Sequence, residues 1–387
     1  MKRSISTFLL ALIVLSFSAA QAAIPSLRPN DARSMGLGGA FTATSWGWDS
    51  FYGNPAGFAS PKAQLTIADL SAWAYLKPTT ANIAKFEGIV GGSASNADLV
   101  SAVGDLIVDN GFGGGFSTGL GYTGKGIALG LYAVGDVAAR GASALGAVAK
   151  GAASFNAVIG LGFPIQLGDA VLRLGADVRP FYRADSEEGG WLVSGIFSAL
   201  LSGTDLATIL MDQRVEAGFG LAMDFGAQLA LGSLSIGLSV RDVTPSFLTK
   251  NEKVADFIAQ LNSGAMPDFS SGSASELLLP EVSAGIAWRP RLIKGIFEPG
   301  LYLEVQDPVS VILDKASVWN LLHLGVDARL FTVLELRAGI NKGWLSAGLG
   351  LNLWLVEINA AIFTKELGSH PGDEPMTGVS VQASFHI

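Results

Sequence analysis

The sequence predicts an all-β chain: an antiparallel transmembrane barrel of about fourteen strands, with an N-terminal segment held in its lumen and short helices in its outer loops. Three observations carry that expectation. Charged residues make up only 15% of the 387 positions and glycine fills 49 of them, whereas soluble domains carry about 25% charge. Mean hydropathy is +0.42, yet the apolar residues recur at every second position, the period of a strand. The chain also opens with the features of an export signal.

That signal spans Met1 to Ala22. Lys2 and Arg3 form a basic start, Phe8 to Phe17 an apolar core, and Ala20-Gln21-Ala22 a small-x-small cleavage site. The core falls short of the roughly twenty residues that a spanning helix needs, so the mature chain is expected to begin near Ala23. The absence of cysteine excludes a lipid-acylated start, disulfides and thiolate metal sites. A net charge of −8 and no basic patch interleaved with aromatics argue against nucleic acid.

Asp31 to Ala59 follows, with six glycines and six aromatics (Phe41, Trp46, Trp48, Phe51, Tyr52, Phe58) and an Asn54-Pro55-Ala56-Gly57 element. It is too rich in glycine for a stable helix, too irregular for a strand and too aromatic for a free tail. Such a segment needs a container that covers its rings and bonds its backbone. Residues 23–61 are therefore expected to form a plug, and 62–387 the barrel around it.

The barrel strands are expected at 63–76, 112–123, 126–139, 154–167, 170–183, 213–228, 232–244, 280–290, 295–306, 320–331, 333–342, 344–354, 355–364 and 377–387. In the fourth, Phe155, Ala157, Ile159, Leu161, Phe163, Ile165 and Leu167 share one parity. In the sixth, Val215 to Phe225 alternates with Glu216, Gly218, Gly220 and Asp224. In the last, Val379, Val381, Ala383, Phe385 and Ile387 alternate with Ser380, Gln382, Ser384 and His386. The first strand changes phase, with Leu65 and Ile67 on one parity and Leu70, Ala72 and Ala74 on the other, which suggests a bulge near Asp69. Alternation alone fits a soluble sandwich as well; the export signal and the low charge favour a barrel with apolar faces toward lipid.

Long connections are expected after strands one, three, five, seven, nine and thirteen, with short turns between them, as in an outer-membrane barrel. The eleventh connection, Lys342-Gly343, is unexpectedly short. Helices are expected at Asn96 to Val108, within Gly190 to Gln213 and at Asn251 to Asn262. The second is the most apolar. Trp191, Leu192, Ile196, Phe197 and Leu200 are its candidate hydrophobic contacts, because so apolar a loop must fold onto something or bind something.

The pairing of Ala32-Arg33-Ser34-Met35-Gly36-Leu37-Gly38-Gly39-Ala40-Phe41 with Asn54-Pro55-Ala56-Gly57 resembles the N-terminal signature of the FadL-like family of long-chain fatty-acid outer-membrane transporters. It is also similar to related secretion-associated and uncharacterised outer-membrane barrels. The resemblance covers about thirty residues. It implies that Gly36, Gly38, Gly39, Phe41, Trp46, Trp48, Asn54 and Pro55 belong to a hatch inside the barrel, with Asn54 and Pro55 near the hatch-to-barrel junction. It also implies hydrophobic ligands that enter from outside and leave through a gap in the wall. A static plug and a moving hatch both remain open.

Other patterns mimic chemistry. Gly115 to Gly119 fits G-x-S-x-G, but a nucleophile elbow needs a strand, a sharp turn and a helix around Ser117. Gly119 to Lys125 mimics a phosphate loop, but Gly126 stands where Ser or Thr would hold magnesium. His323, His370 and His386 lack metal-ligand spacing. Neither enzyme, cofactor nor metal is expected. On the inward parity lie Arg173, Asp177, Arg179, Glu216, Arg241, Arg289, Glu304, Asp327, Arg329, Glu335 and Arg337. They read as wall-bracing ion pairs, or as arginines left free for a ligand carboxylate. The function expected is an outer-membrane channel for fatty-acid-like molecules, with lipids and a hydrophobic ligand as partners. The alternative is a barrel that docks or anchors secreted or surface proteins.

Overall fold

The computed structural model describes residues 22–91, 94–264, 273–308, 311 and 316–387. The expected signal peptide, apart from Ala22, lies outside the described residues. Fourteen wall strands follow in chain order: β1 Gln64–Tyr75, β2 Phe112–Gly124, β3 Ile127–Arg140, β4 Val148–Leu167, β5 Ala170–Ser186, β6 Arg214–Leu231, β7 Leu234–Val243, β8 Glu281–Trp288, β9 Phe297–Gln306, β10 Leu322–Leu330, β11 Leu334–Asn341, β12 Trp344–Leu353, β13 Val356–Glu366 and β14 Pro375–His386. Each pairs antiparallel with its neighbours, and β14 returns to β1, Val379 opposite Ala74 and Phe385 opposite Ala68. The sheet closes into a barrel with no edge, as a spanning β-structure in lipid must.

The direction of the side chains settles barrel against sandwich. Every strand exposes large apolar residues, among them Leu70, Phe116, Leu129, Ile159, Phe219, Leu238, Leu301, Leu349 and Val381. The opposite parity is buried and carries Arg179, Asp224, Arg241, Glu304, Asp327, Glu335 and Arg337. Apolar outside and ionic inside is the arrangement of a membrane-spanning barrel.

The phase change in β1 is a bulge. Thr66 faces Gly121 and Asp69 faces Gly119, so β1 spends one extra residue there, and the register against β14 slips between Phe385 and His386. Both ladders resume beyond it. Asp69 is buried and accepts a bond from Gln382 at 3.0 Å, so the wall is closed at this point. The short eleventh connection has a local cause: Lys342 and Gly343 have φ of 50° and 90°, the two positive values of a tight hairpin turn.

The wall is uneven in height. β4, β5 and β6 have 20, 17 and 18 residues and β11 has 8, where a tilted span needs about 9–11. The tall side carries the long connections and their helices: α2 Thr80–Val90, α3 Asn96–Asp109, α4 Val193–Leu201, α5 Leu206–Met211 and α6 Val254–Ser263. A further short helix, α1 Ala32–Gly36, lies in the N-terminal segment. Helix α2 was not foreseen, and the cap of α3 is Ser95, not Asn96; Ser95 and Asp98 form a capping box. Two more strands, Phe247–Lys253 and Ser273–Leu278, extend the wall beside the top of β6, and Ala22–Ile24 lies parallel to the latter.

Candidate functional site

The N-terminal segment occupies the lumen, and it is held there by backbone. Asp31 caps α1, accepting from the Ser34 amide at 2.8 Å. The chain then runs against inward-facing wall glycines. A Cβ placed on Gly237 would lie 2.6 Å from Ala43 Cα; one on Gly175, 2.6 Å from the Ala56 amide nitrogen; one on Gly325, 2.7 Å from the Leu37 carbonyl oxygen; one on Gly339, 2.5 Å from the Leu37 carbonyl carbon. From the plug side, a Cβ on Gly36 would lie 3.1 Å from Gly348 Cα, and Gly38 has φ +67° with Leu324 O 2.6 Å from where a Cβ would be. No side chain stands on the wall at these glycines, and at Gly36–Gly348 and Gly38–Gly339 none stands on either surface, so main chain meets main chain.

Polar wall residues complete the hold. Glu304 accepts from the Thr42 amide at 2.7 Å and its hydroxyl at 2.6 Å. Gln228 donates to the carbonyls of Thr42 and Ser45 at 3.2 and 3.0 Å, Ser239 to Gly53 at 2.9 Å, and Gln306 to Gly39 at 2.6 Å. His323 Nδ1 lies 2.7 Å from the Gly38 carbonyl, so that nitrogen carries the proton. Asn54 sits against β6 and β7, donating to the carbonyls of Thr42, Ala227 and Leu238 at 3.1, 3.2 and 3.3 Å, and its Oδ1 caps the turn Pro55–Ala59. The segment leaves the lumen at Ser60, whose carbonyl accepts from Lys125 at 2.7 Å.

The plug aromatics form a dry core with the β1–β4 side of the wall. Trp48 meets Phe51 edge-on at 5.2 Å, Phe51 meets Phe58 at 5.9 Å, and Phe41 meets Tyr52 at 6.2 Å. Phe41, Trp48, Phe51, Tyr52 and Phe58 are buried with wall residues Trp73, Tyr132 and Phe363. Trp46 alone of the plug rings is exposed, at 38%, with Lys62 Nζ 6.0 Å above it. This side of the lumen is thus filled with rings, the cover that so aromatic a segment needs.

The other half is ionic. Asp224, with no exposed side-chain surface, receives Arg179 and Arg241, each at 3.3 Å. Arg179 also pairs with Asp242 and bonds Asn156 at 2.8 Å; Asp177 lies buried on the same inner face. Arg241 reaches the plug as well, donating to the carbonyls of Tyr52 and Phe51. Glu335 bridges Arg337 at 3.1 Å and Arg329 at 3.3 Å. Asp327 accepts from Tyr302 at 3.0 Å. Most inward arginines therefore brace wall or plug. Arg173 and Arg289 do not: neither side chain makes a hydrogen bond or close ion pair among the described residues.

The apolar loop closes mainly on itself. Phe197 and Leu200 are buried with Val193 and Ile209 against Ile107 of α3 and Ala147 and Ala149 of the wall. Ile196 packs at the edge of this cluster. Trp191 Nε1 donates to the Arg214 carbonyl at 2.8 Å. Leu192 and Leu201 stay outside, 65% and 58% exposed. At the start of α5 the Thr208 hydroxyl and amide hold the Asp205 carboxyl below its ordinary range. The G-x-S-x-G run lies inside β2, which continues straight into the Lys125-Gly126 hairpin, so Ser117 sits on no elbow.

Below the plug, at the short-turn end, a cavity of about 790 Å³ opens between plug and wall. No feature of the sequence marked it, because its lining comes from eleven separate stretches of chain.

No protein-family model and no curated protein matches the sequence. Among solved structures, the chain is similar to the Pseudomonas putida toluene transporter TodX (11% identity, TM-score 0.46, 94% of this chain and 99% of that one). It is similar also to the Ralstonia pickettii toluene transporter TbuX (11%, 0.49, 93% and 98%), and to a Pseudomonas aeruginosa FadL homologue (11%, 0.43, 93% and 98%).

Proposed function

We propose that the chain is an outer-membrane channel for uptake or diffusion of hydrophobic, fatty-acid-like molecules, with residues 23–61 as its hatch. One observation carries this reading: a barrel with a lipid-facing apolar belt contains a lumen segment whose aromatic side packs as a dry core beside an ionic one. An acyl chain entering at the cap end gains about 0.8 kcal/mol for each methylene it buries. The exposed rim of the apolar cap, Leu192 and Leu201 beside Trp191 and Ile196, is its capture surface, over the buried Phe197 and Leu200 that hold it together, and the plug rings Phe41, Trp46 and Trp48 are its path. Gly36, Gly38 and Gly39 let the hatch lie flush with the wall, and Asn54 and Pro55 anchor its far end.

Binding of a fluorescent fatty acid to purified protein, and uptake of labelled oleate by cells carrying it, test the proposal. Leu192→Asp with Leu201→Asp is expected to weaken both; unchanged binding in that variant removes the capture role. The second reading is a docking platform for secreted or surface proteins, favoured by the exposed Leu192, Leu201 and Leu206 on the cap. A stoichiometric protein partner, with no bound lipid and no oleate uptake, would decide for it.

A further inference from the structure

The cavity at the short-turn end is divided by charge. The β5–β8 arc of its wall presents Arg173, Gln228, Ser233, Ser235, Arg289 and Arg291 and contributes no carboxylate. The rest of the lining mixes the carboxylates Asp49, Asp69, Glu298, Glu335 and Glu357 with the cations Arg33, Lys62 and Arg329. There the charges have company: Glu335 holds Arg329 and Arg337, and Asp69 accepts from Gln382. On the basic side they do not. Arg173 is half-buried, and its Nε is shut off from water with no hydrogen-bond partner. The Arg289 guanidinium makes no salt bridge among the described residues.

A buried N–H without an acceptor is costly, and a bracing role does not explain Arg173, since the bracing arginines above all reach carboxylates. The missing partner is an oxyanion. Guanidinium forks donate to two oxygens of a carboxylate or phosphate side by side. The Ser233 and Ser235 hydroxyls supply further donors on the same arc.

We propose that this vestibule is an oxyanion-binding site on the short-turn side of the plug, with Arg173 and Arg289 as its clamp. Its ligand is a carboxylate or phosphate group, carried either by a small free solute or as the head group of an amphiphile. The site opens on the side away from the cap and does not rest on the transport reading.

The test is equilibrium binding of sodium acetate, sodium octanoate and inorganic phosphate to the folded full-length chain in neutral detergent, by calorimetry. At least one is expected to bind saturably. Arg173→Gln is expected to weaken it about ten- to a hundredfold, the worth of a charge-assisted bond, and Arg289→Gln similarly. Arg214→Gln, at the opposite end and bonded to Asn251 at 2.6 Å, is expected to change nothing. Octanoate binding above acetate and phosphate identifies an amphiphile head group; phosphate or acetate binding at least as well identifies a free solute. Arg173→Lys keeps the charge without the fork and is expected to fall between, which covers the case in which Arg173→Gln does not fold. No saturable binding by any of the three, or equal losses in Arg173→Gln and Arg214→Gln, overturns the proposal.

Discussion

Gly237→Ala is the sharpest perturbation of the plug-in-barrel arrangement. The new Cβ would lie 2.6 Å from Ala43 Cα, 2.7 Å from the Thr42 carbonyl oxygen and 2.8 Å from the Ala43 amide nitrogen. All three are backbone atoms, so no rotamer change relieves the contact, and carbon atoms prefer about 3.5–4.0 Å. The plug must withdraw by about 1 Å at Ala43. Overpacking of this kind costs about 1–3 kcal/mol. The same shift stretches the bonds that the Thr42 carbonyl accepts from Asn54 and Gln228, at 3.1 and 3.2 Å, each worth about 1 kcal/mol. The sum is a loss of about 3–5 kcal/mol. At a urea slope of about 3 kcal/mol per M, the unfolding midpoint falls by about 1 M or more. The assay is urea unfolding in detergent, followed by tryptophan fluorescence. Gly88→Ala is the control, since a Cβ on that α2 glycine meets nothing within 4 Å; its midpoint is expected to stay or rise slightly. Equal midpoints for Gly237→Ala and the wild type would refute the close wall-to-plug contact.

Arg241→Met removes the tie to the Phe51 and Tyr52 carbonyls and leaves Asp224 with Arg179 alone; the same titration is expected to show a loss of about 3–5 kcal/mol. Glu304→Ala strands the Thr42 amide and hydroxyl, for about 1–3 kcal/mol. Phe197→Asp buries a charge between α3 and α4; limited proteolysis is expected to cut within 77–111 or 187–213 while the wall strands stay intact. A protected cap would count against the packing described for Phe197.

The wall was legible because each span repeats period two, and lipid requires that one parity stay apolar. Val215 and Ala217 show where the pattern stops informing. They share parity with the lipid-facing Phe219 and Leu221, yet they are buried with Tyr182, Ala184 and Phe257 of α6. Alternation tells which face is apolar, not whether lipid or a helix covers it. For the same reason Phe197 and Leu200 read as capture residues although their neighbours in α3 lie about ninety positions away. The glycines of the wall carried a signal that was missed. Gly119, Gly160 and Gly175 fall on the inward parity of their strands, and a Cβ there would strike Trp48, Phe58 and the Pro55–Ala56 backbone. The basic arc was invisible because Arg173 and Arg289, more than a hundred positions apart, share one cavity wall only through the β5–β8 pairing.

Hydrogen exchange of the wild-type chain in detergent tests the lumen segment most directly. The amides of residues 31–60 are predicted to be protected to the same degree as those of β2 to β6. Exchange of that segment within seconds, beside protected wall strands, would contradict the account.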